Sequence, residues 1–185
     1  MQARGQPVII ILAAGKGARF LASGATTHKL DALLNGKAVL QHVLDAVKAT
    51  GLPWHLVRPQ GGTGGMGESI AMGVRATPDA PGWLILPGDL PYIQPASLLR
   101  VAQALQENPV VVPRYQQKQG HPVGFQQRYF ADLAGLCADV GAKAVVRRAR
   151  EQGDVLELTL EDVGVVKDVD VVEDLEIIEK RISEK

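Results

Sequence analysis

Glycines, cations and a carboxylate recur in this chain where apolar runs stop, and together they suit a ligand that carries phosphates. The run Val8 to Leu12 leads through Ala13 and Ala14 into Gly15-Lys16-Gly17-Ala18-Arg19. Gly15 and Gly17 remove side-chain bulk just past the run, so backbone N–H groups can approach an anion closely, with the Arg19 guanidinium following. Lys29 supplies a second cation after a polar stretch. In LILPGDLPYI, Asp89 follows a tight Pro87-Gly88 turn. A carboxylate at a strand end can ligate a divalent cation, because Mg²⁺ takes one or two carboxylates together with phosphate oxygens. Arg19 and Lys29 would then neutralise a triphosphate and the charge that develops as pyrophosphate leaves.

Each of these residues has a plainer reading. Glycines after a strand often only make a turn, and two better-known phosphate loops are absent. GxGxxG needs a third glycine where Phe20 stands, and a Walker loop ending at Gly36-Lys37 would need glycine at Asp31 and Ser or Thr at Ala38. Asp89 can close an Asx-turn, although its place at a strand end favours the metal. Asp170, in VKDVDVVEDL, stands three residues before Glu173 at a strand–helix junction. That is a capping box, and taken alone these residues favour it over a metal ligand. Asp168 reads as a strand-end surface acid or a backbone brace. Arg19 and Lys29 as solvated surface charges would follow the commonest fate of such side chains. His121, in Gly120-His121-Pro122, is more often structural; beside a pocket it bonds a substrate group or fixes the loop.

Composition narrows the classes. A length of 185 residues fits one domain, 1–185, and 46% apolar content with only 4% aromatics calls for a core of Leu, Val, Ile and Ala. Lys+Arg 20 balance Asp+Glu 20, so no global field draws nucleic acid or a membrane surface. Cys137 is the single cysteine, which excludes an internal disulfide and a multi-cysteine metal site; in FADLAGLCADV it reads as a small buried hydrophobe. No apolar run reaches the ~18 residues of a membrane span. Arg4 before Val8 to Ala14 is too short for a signal peptide and is followed at once by Lys16 and Arg19. The expectation is a cytoplasmic protein.

The elements that must position these groups alternate. Val8 to Leu12, rich in branched side chains without alternation, reads as a parallel strand covered on both faces. Lys37 to Thr50 sets Leu40, Val43, Leu44 and Val47 on one helical face. A strand over Trp54 to Val57, a glycine-rich lead-in, and a helix over Glu68 to Ala76 follow. Trp83 to Leu86 reads as a strand, Ser97 to Gln106 as a helix, and Val110 to Val112 as a strand. His121 to Phe125 reads as a strand that Pro122 confines to a sheet edge. Phe130 to Leu136 and Ala142 to Glu151 read as helices, with Val155 to Leu158 extended. A strand over Val163 to Val169 and a helix over Val171 to Ile182 close the chain. Residues 20–28 and 58–67 read as mobile loops. The alternation predicts an α/β fold of three layers, a doubly wound and mainly parallel sheet.

Taken together, these segments resemble the nucleotidyltransferases that finish molybdenum cofactor, most closely their cytidylyltransferase branch. LAAGKGAR is similar to the family's LAAGxSxR phosphate loop, and Lys29-Leu30 followed by NGKAVLQHV to its lysine and GKPLLxHV. GMGESIAMGV resembles GMSxSLxxGV, and PGDLPYI resembles the GDMPF metal loop. GHPVGF is similar to GHPVLF, ADVGAKAVVRR to GDxGARxLL, and VKDVDVVEDL to DIDTPEDL. The matches run in the family's order over residues 8–175. Two things depart from the pattern: FLASGATTH sets Arg19 and Lys29 further apart than is usual, and Gly17 and Gly67 stand where serines are common.

The resemblance implies a Rossmann-like nucleotidyltransferase fold and a CTP-dependent reaction. The terminal phosphate of molybdopterin cofactor would attack the α-phosphorus of CTP, giving a cytidylylated cofactor and pyrophosphate. It implies Arg19 and Lys29 as catalytic cations and Mg²⁺, or Mn²⁺, on Asp89 and Asp170. Nucleotide contacts would come from Leu12, Ala13, Ala14, Gly15, Gly17, Lys29, Ser69, Gly88 and Asp89, and acceptor contacts from His121 and Pro122. Within the family LAAG tends to accompany CTP and LAGG GTP, so Ala14 favours CTP. A molybdoenzyme or its chaperone is the implied recipient. Alternatives are a guanylyltransferase of the same fold using GTP, a transferase acting on an alcohol or sugar phosphate, and a non-catalytic protein that binds and delivers the cofactor. Without nucleotide, Lys29 is expected to be poorly ordered or turned outward, beneath a mobile loop.

Overall fold

The computed structural model describes residues 5–14, 28–60, 62–138 and 140–169. Gly15, Gly17, Arg19, Asp170 and the helix expected over Val171 to Ile182 lie outside the described residues. Strand β1, Val8–Leu12, comes first. A small hairpin follows, β2 (Leu33–Leu34) and β3 (Lys37–Ala38), and runs into helix α1, Val39–Ala49. Next come β4 (Trp54–Val57), α2 (Met66–Ala76), β5 (Gly82–Pro87) and α3 (Pro95–Leu105). The remainder is β6 (Val110–Tyr115), β7 (Lys118–Gln119), β8 (Val123–Gln126), α4 (Phe130–Ala134), α5 (Lys143–Glu151) and β9 (Val155–Leu160).

Among the described residues the main sheet has seven strands, in the order β4-β1-β5-β8-β6-β7, with β9 on β6. β4, β1, β5, β6 and β9 share one direction, while β7 and β8 run against it. The sheet is thus mostly parallel with helices on both faces. Strand periodicity sorts the core into two layers, because successive side chains point to opposite faces. Ile9 and Ile11 of β1 join Leu84, Leu86 and Val111 beneath Val43 and Val47 of α1 and Leu98 and Val101 of α3. Ile10 joins Trp83, Ile85, Val110 and Phe125 beneath Ile70 and Val74 of α2 and Val145 and Val146 of α5. Ile9, Ile10 and Ile11 are completely buried, and each contributes roughly 1.5–3 kcal/mol of transfer free energy. No helix among the described residues is long and apolar enough to cross a membrane.

Four local expectations are corrected. The strand at His121 to Phe125 is not at an edge: β8 lies between β5 and β6, and Pro122 stands just before it, where its missing N–H costs no ladder bond. Val163 to Val169 is not a strand; Val163–Val165 form a 3₁₀ turn, closed by the Asp162 carboxylate accepting from the Gly164 N–H at 2.8 Å. The helix at Lys37 begins two residues later, after the hairpin turn at Asn35 and Gly36, both at positive φ. Cys137 is exposed: α4 stops at Ala134, and the cysteine lies in the turn beyond it.

Candidate active site

β1 is where the chain changes sides. Its first parallel partner, β4, lies on one flank and the next, β5, on the other. Ligands of open α/β sheets bind in the crevice outside the carboxyl ends of strands at such a switch point. Here the two ends are tied together one step past the sheet: the Gly88 N–H donates to the Leu12 carbonyl at 2.8 Å, and the Ala13 N–H to the Val57 carbonyl at 3.0 Å. A cavity of about 480 Å³ opens at this point. Leu12 and Ala14 at the end of β1, Pro87, Gly88 and Asp89 at the end of β5, His28 to Leu30, and Thr63 to Met66 with Ser69 line it.

Its charged groups face one another. The Lys29 ammonium lies 3.0 Å from Asp89 Oδ2. Among the described residues the lining contains no other ammonium and no other carboxylate. The start of α2, which Gly65 precedes, lines the same cavity. Part of this helix start is already satisfied within the chain, since the Glu68 N–H donates to the Ala138 carbonyl at 3.2 Å. The loop leading into it is held by hydroxyls: Ser69 Oγ lies 2.6 Å from Thr63 Oγ1 and donates to the Gly65 carbonyl. The Glu68 carboxylate accepts from the Gly64 N–H.

The structure therefore brings Leu12, Ala14, Lys29, Ser69, Gly88 and Asp89 to one cavity. Two expectations change. Ala13 does not line it: its side chain packs in the apolar layer beside α1, and its N–H is already given to Val57, so a phosphate cradle cannot begin there. Lys29 is turned inward onto Asp89 rather than outward, because a half-buried carboxylate gives the ammonium a partner at short range.

His121 and Pro122 lie outside this lining but at the same end of the sheet. Val123 pairs antiparallel with Ile85, so the two residues before it stand alongside the end of β5. The His121 N–H donates to the Val165 carbonyl at 2.8 Å. Its Nδ1 is, among the described residues, the only buried side-chain nitrogen or oxygen without a hydrogen-bond partner. Burial pushes the imidazole down to about 4, against an upward pull from Asp168. Sequence reasoning did not single out Thr63 or Met66 as cavity residues, or Asp162 as a brace. The glycines around Thr63 were visible as a lead-in, whereas Asp162 carried no local signal.

No group of three or more His, Cys, Asp or Glu is assembled for a metal among the described residues. Asp89 offers one carboxylate to the cavity, which suits a hard cation that draws its other ligands from phosphate and water.

This architecture, with a polar cavity at the switch point of a mostly parallel sheet, is that of nucleotidyltransferases. The chain belongs to the family described as the MobA-like NTP transferase domain, whose model matches residues 48–155. No curated protein matches it in sequence. Among solved structures it is similar to Rv0371c from Mycobacterium tuberculosis H37Rv, 25% identical, with 95% of this chain and 98% of that one covered at a TM-score of 0.76. Rv0371c has also been solved in complex with manganese. A nucleotidyl transferase from Methanothermobacter, 19% identical, matches over 97% and 98% at a TM-score of 0.77. Molybdopterin-guanine dinucleotide biosynthesis protein A from Archaeoglobus fulgidus, 14% identical, matches over 96% and 100% at 0.62. The last two likenesses concern the fold.

Proposed function

We propose that this nucleotidyltransferase moves a cytidylyl group from CTP to the terminal phosphate of a molybdopterin-type cofactor and releases pyrophosphate. The observation that carries the reading is the Lys29–Asp89 pair inside the switch-point cavity. A phosphate acceptor is already anionic, so the reaction demands no general base. It demands alignment and charge neutralisation, and a cavity holding one ammonium and one carboxylate against a helix start is equipped for both.

In this reading Lys29 leaves Asp89 for the nucleotide's phosphates, with Arg19 as a second cation and Gly15 and Gly17 baring backbone amides to them. Ser69 and Gly88 shape the walls on either side. Asp89 and Asp170 would hold Mg²⁺ or Mn²⁺, which supplies neutralisation of the phosphate charge when bound. The manganese complex of Rv0371c supports such a metal. Ala14, buried at the cavity wall, leaves less room than glycine, which favours a pyrimidine. His121 and Pro122 face the acceptor. The name of the Archaeoglobus relative supports a molybdopterin acceptor, and the motifs of the cytidylyltransferase branch support CTP over GTP. A molybdoenzyme or its chaperone would receive the product.

The test is pyrophosphate release by the pure protein with each of the common NTPs, Mg²⁺ and molybdopterin cofactor. CTP should exceed GTP by about tenfold or more, the scale of one steric difference in a pocket. Preference for GTP would make the chain a guanylyltransferase. No release with any NTP would favour a delivery protein.

A further inference from the structure

Asp162 is the one buried acid among the described residues. Burying a carboxylate is costly unless hydrogen bonds replace its water, and three donors do so. Oδ2 accepts from the Gln94 N–H at 3.0 Å and from Ser97 Oγ at 2.8 Å, while Oδ1 accepts from the Gly164 N–H at 2.8 Å. One side chain thus caps two elements, the start of α3 and the turn at Val163–Val165. Gln94 ends the loop that begins at Asp89. The turn begins a strap that returns to that loop, where the Val169 N–H donates to the Asp89 carbonyl at 2.9 Å. Asp89, Gln94, Asp162 and Val169 therefore close a ring.

His121 hangs from the same ring. Its N–H donates to Val165, and Gly120 lies so close to the Val165 carbonyl that a Cβ would overlap it. On the other side a Cβ at Gly164 would overlap the Tyr92 carbonyl. The strap is wedged between the Asp89 loop and the His121 loop with backbone against backbone.

We infer that Asp162 is a positioning residue that fixes the Asp89 loop relative to the His121 loop, and so sets nucleotide against acceptor. This rests on the nucleotidyl-transfer reading above. The nucleotide side is tied separately, through the Gly88–Leu12 bond between β5 and β1. Loosening Asp162 should therefore leave the Gly88 tie and the binding of metal-free CTP intact and slow transfer.

Asp162→Asn places an amide N–H₂ toward at least one of three donors, and Ser97→Ala removes one donor more gently should the first variant fail to fold. Hydrogen exchange of single amides is followed in each. His121 and Val169 should exchange about tenfold faster or more, with Gly88 unchanged. The dissociation constant of CTP without metal should stay within about twofold, while turnover with Mg²⁺ in Asp162→Asn falls about tenfold or more, as misplacement of reacting groups does. Retained protection at His121 and Val169 overturns the inference, as does equal loosening of Gly88, which would mean general destabilisation. Released amides with unchanged turnover also overturn it. If the wild type transfers nothing from CTP, the cytidylyl reading fails, and the amide pattern alone decides whether Asp162 couples the loops.

Discussion

Lys29 reaches across the cavity to Asp89, and the two side chains keep only 17% and 19% of their surface in solvent. Each group suits a ligand component, the ammonium a phosphate and the carboxylate a metal. Without ligand they satisfy one another. In the proposed function the pair is a resting arrangement of binding groups, which a metal–nucleotide complex would exchange for its own contacts.

Asp89→Asn keeps the size of the side chain and removes its charge. Turnover should fall by roughly a hundredfold or more, the scale of losing a main electrostatic stabiliser, while the melting temperature changes little. Steady-state rates and a thermal melt check this. Near-normal turnover would assign Asp89 to the turn alone.

Ala14→Gly tests the wall of the cavity. Removing this methyl should relax discrimination against GTP by something up to ~1–3 kcal/mol, the usual worth of a small steric difference. The measurement is the ratio of kcat/KM for CTP and GTP in wild type and variant. An unchanged ratio would take residue 14 out of base selection.

His121 gives a pH dependence. Its folded value of about 4 against an ordinary 6.5 means that the unfolded chain binds a proton the folded chain refuses. The stability this group contributes is full above pH 6.5 and declines as pH falls toward 4, by about 2 kcal/mol at pH 5. Urea unfolding at pH 7.5 and pH 5 should show this loss in wild type and not in His121→Asn. Equal losses in both would place the acid sensitivity elsewhere.

Much of this was legible in the residues. β1 and β5 are uninterrupted apolar runs, so their ends, and with them Ala14, Gly88 and Asp89, could be placed by local pattern alone. The β2–β3 hairpin also left a signal: Asn35-Gly36 is the pair that tolerates positive φ at both central positions of a tight turn. It was overshadowed by the helical spacing that starts beside it. What stayed hidden depends on distant partners. Pro122, which lacks an N–H, points to an edge for β8, but the proline precedes the ladder, and only pairing with Ile85 and Val111 reveals a central strand. Val163 to Val169 is apolar enough for a strand; Asp162, held by Gln94 and Ser97 more than sixty residues earlier, turns it into a strap. The polar loop before Lys29 suggests a poorly ordered or outward side chain, whereas the partner that draws it inward lies sixty positions away.

The central claim is transfer of a nucleotidyl group, and the fate of the α-phosphorus tests it most directly. CTP labelled there is incubated with the protein, Mg²⁺ and molybdopterin cofactor, and the products are separated. The label should appear in a species that contains the acceptor, with one pyrophosphate released per transfer, and should nearly vanish from that species in Asp89→Asn. Label recovered only as CMP, or remaining in CTP while the cofactor stays unchanged, would contradict the account.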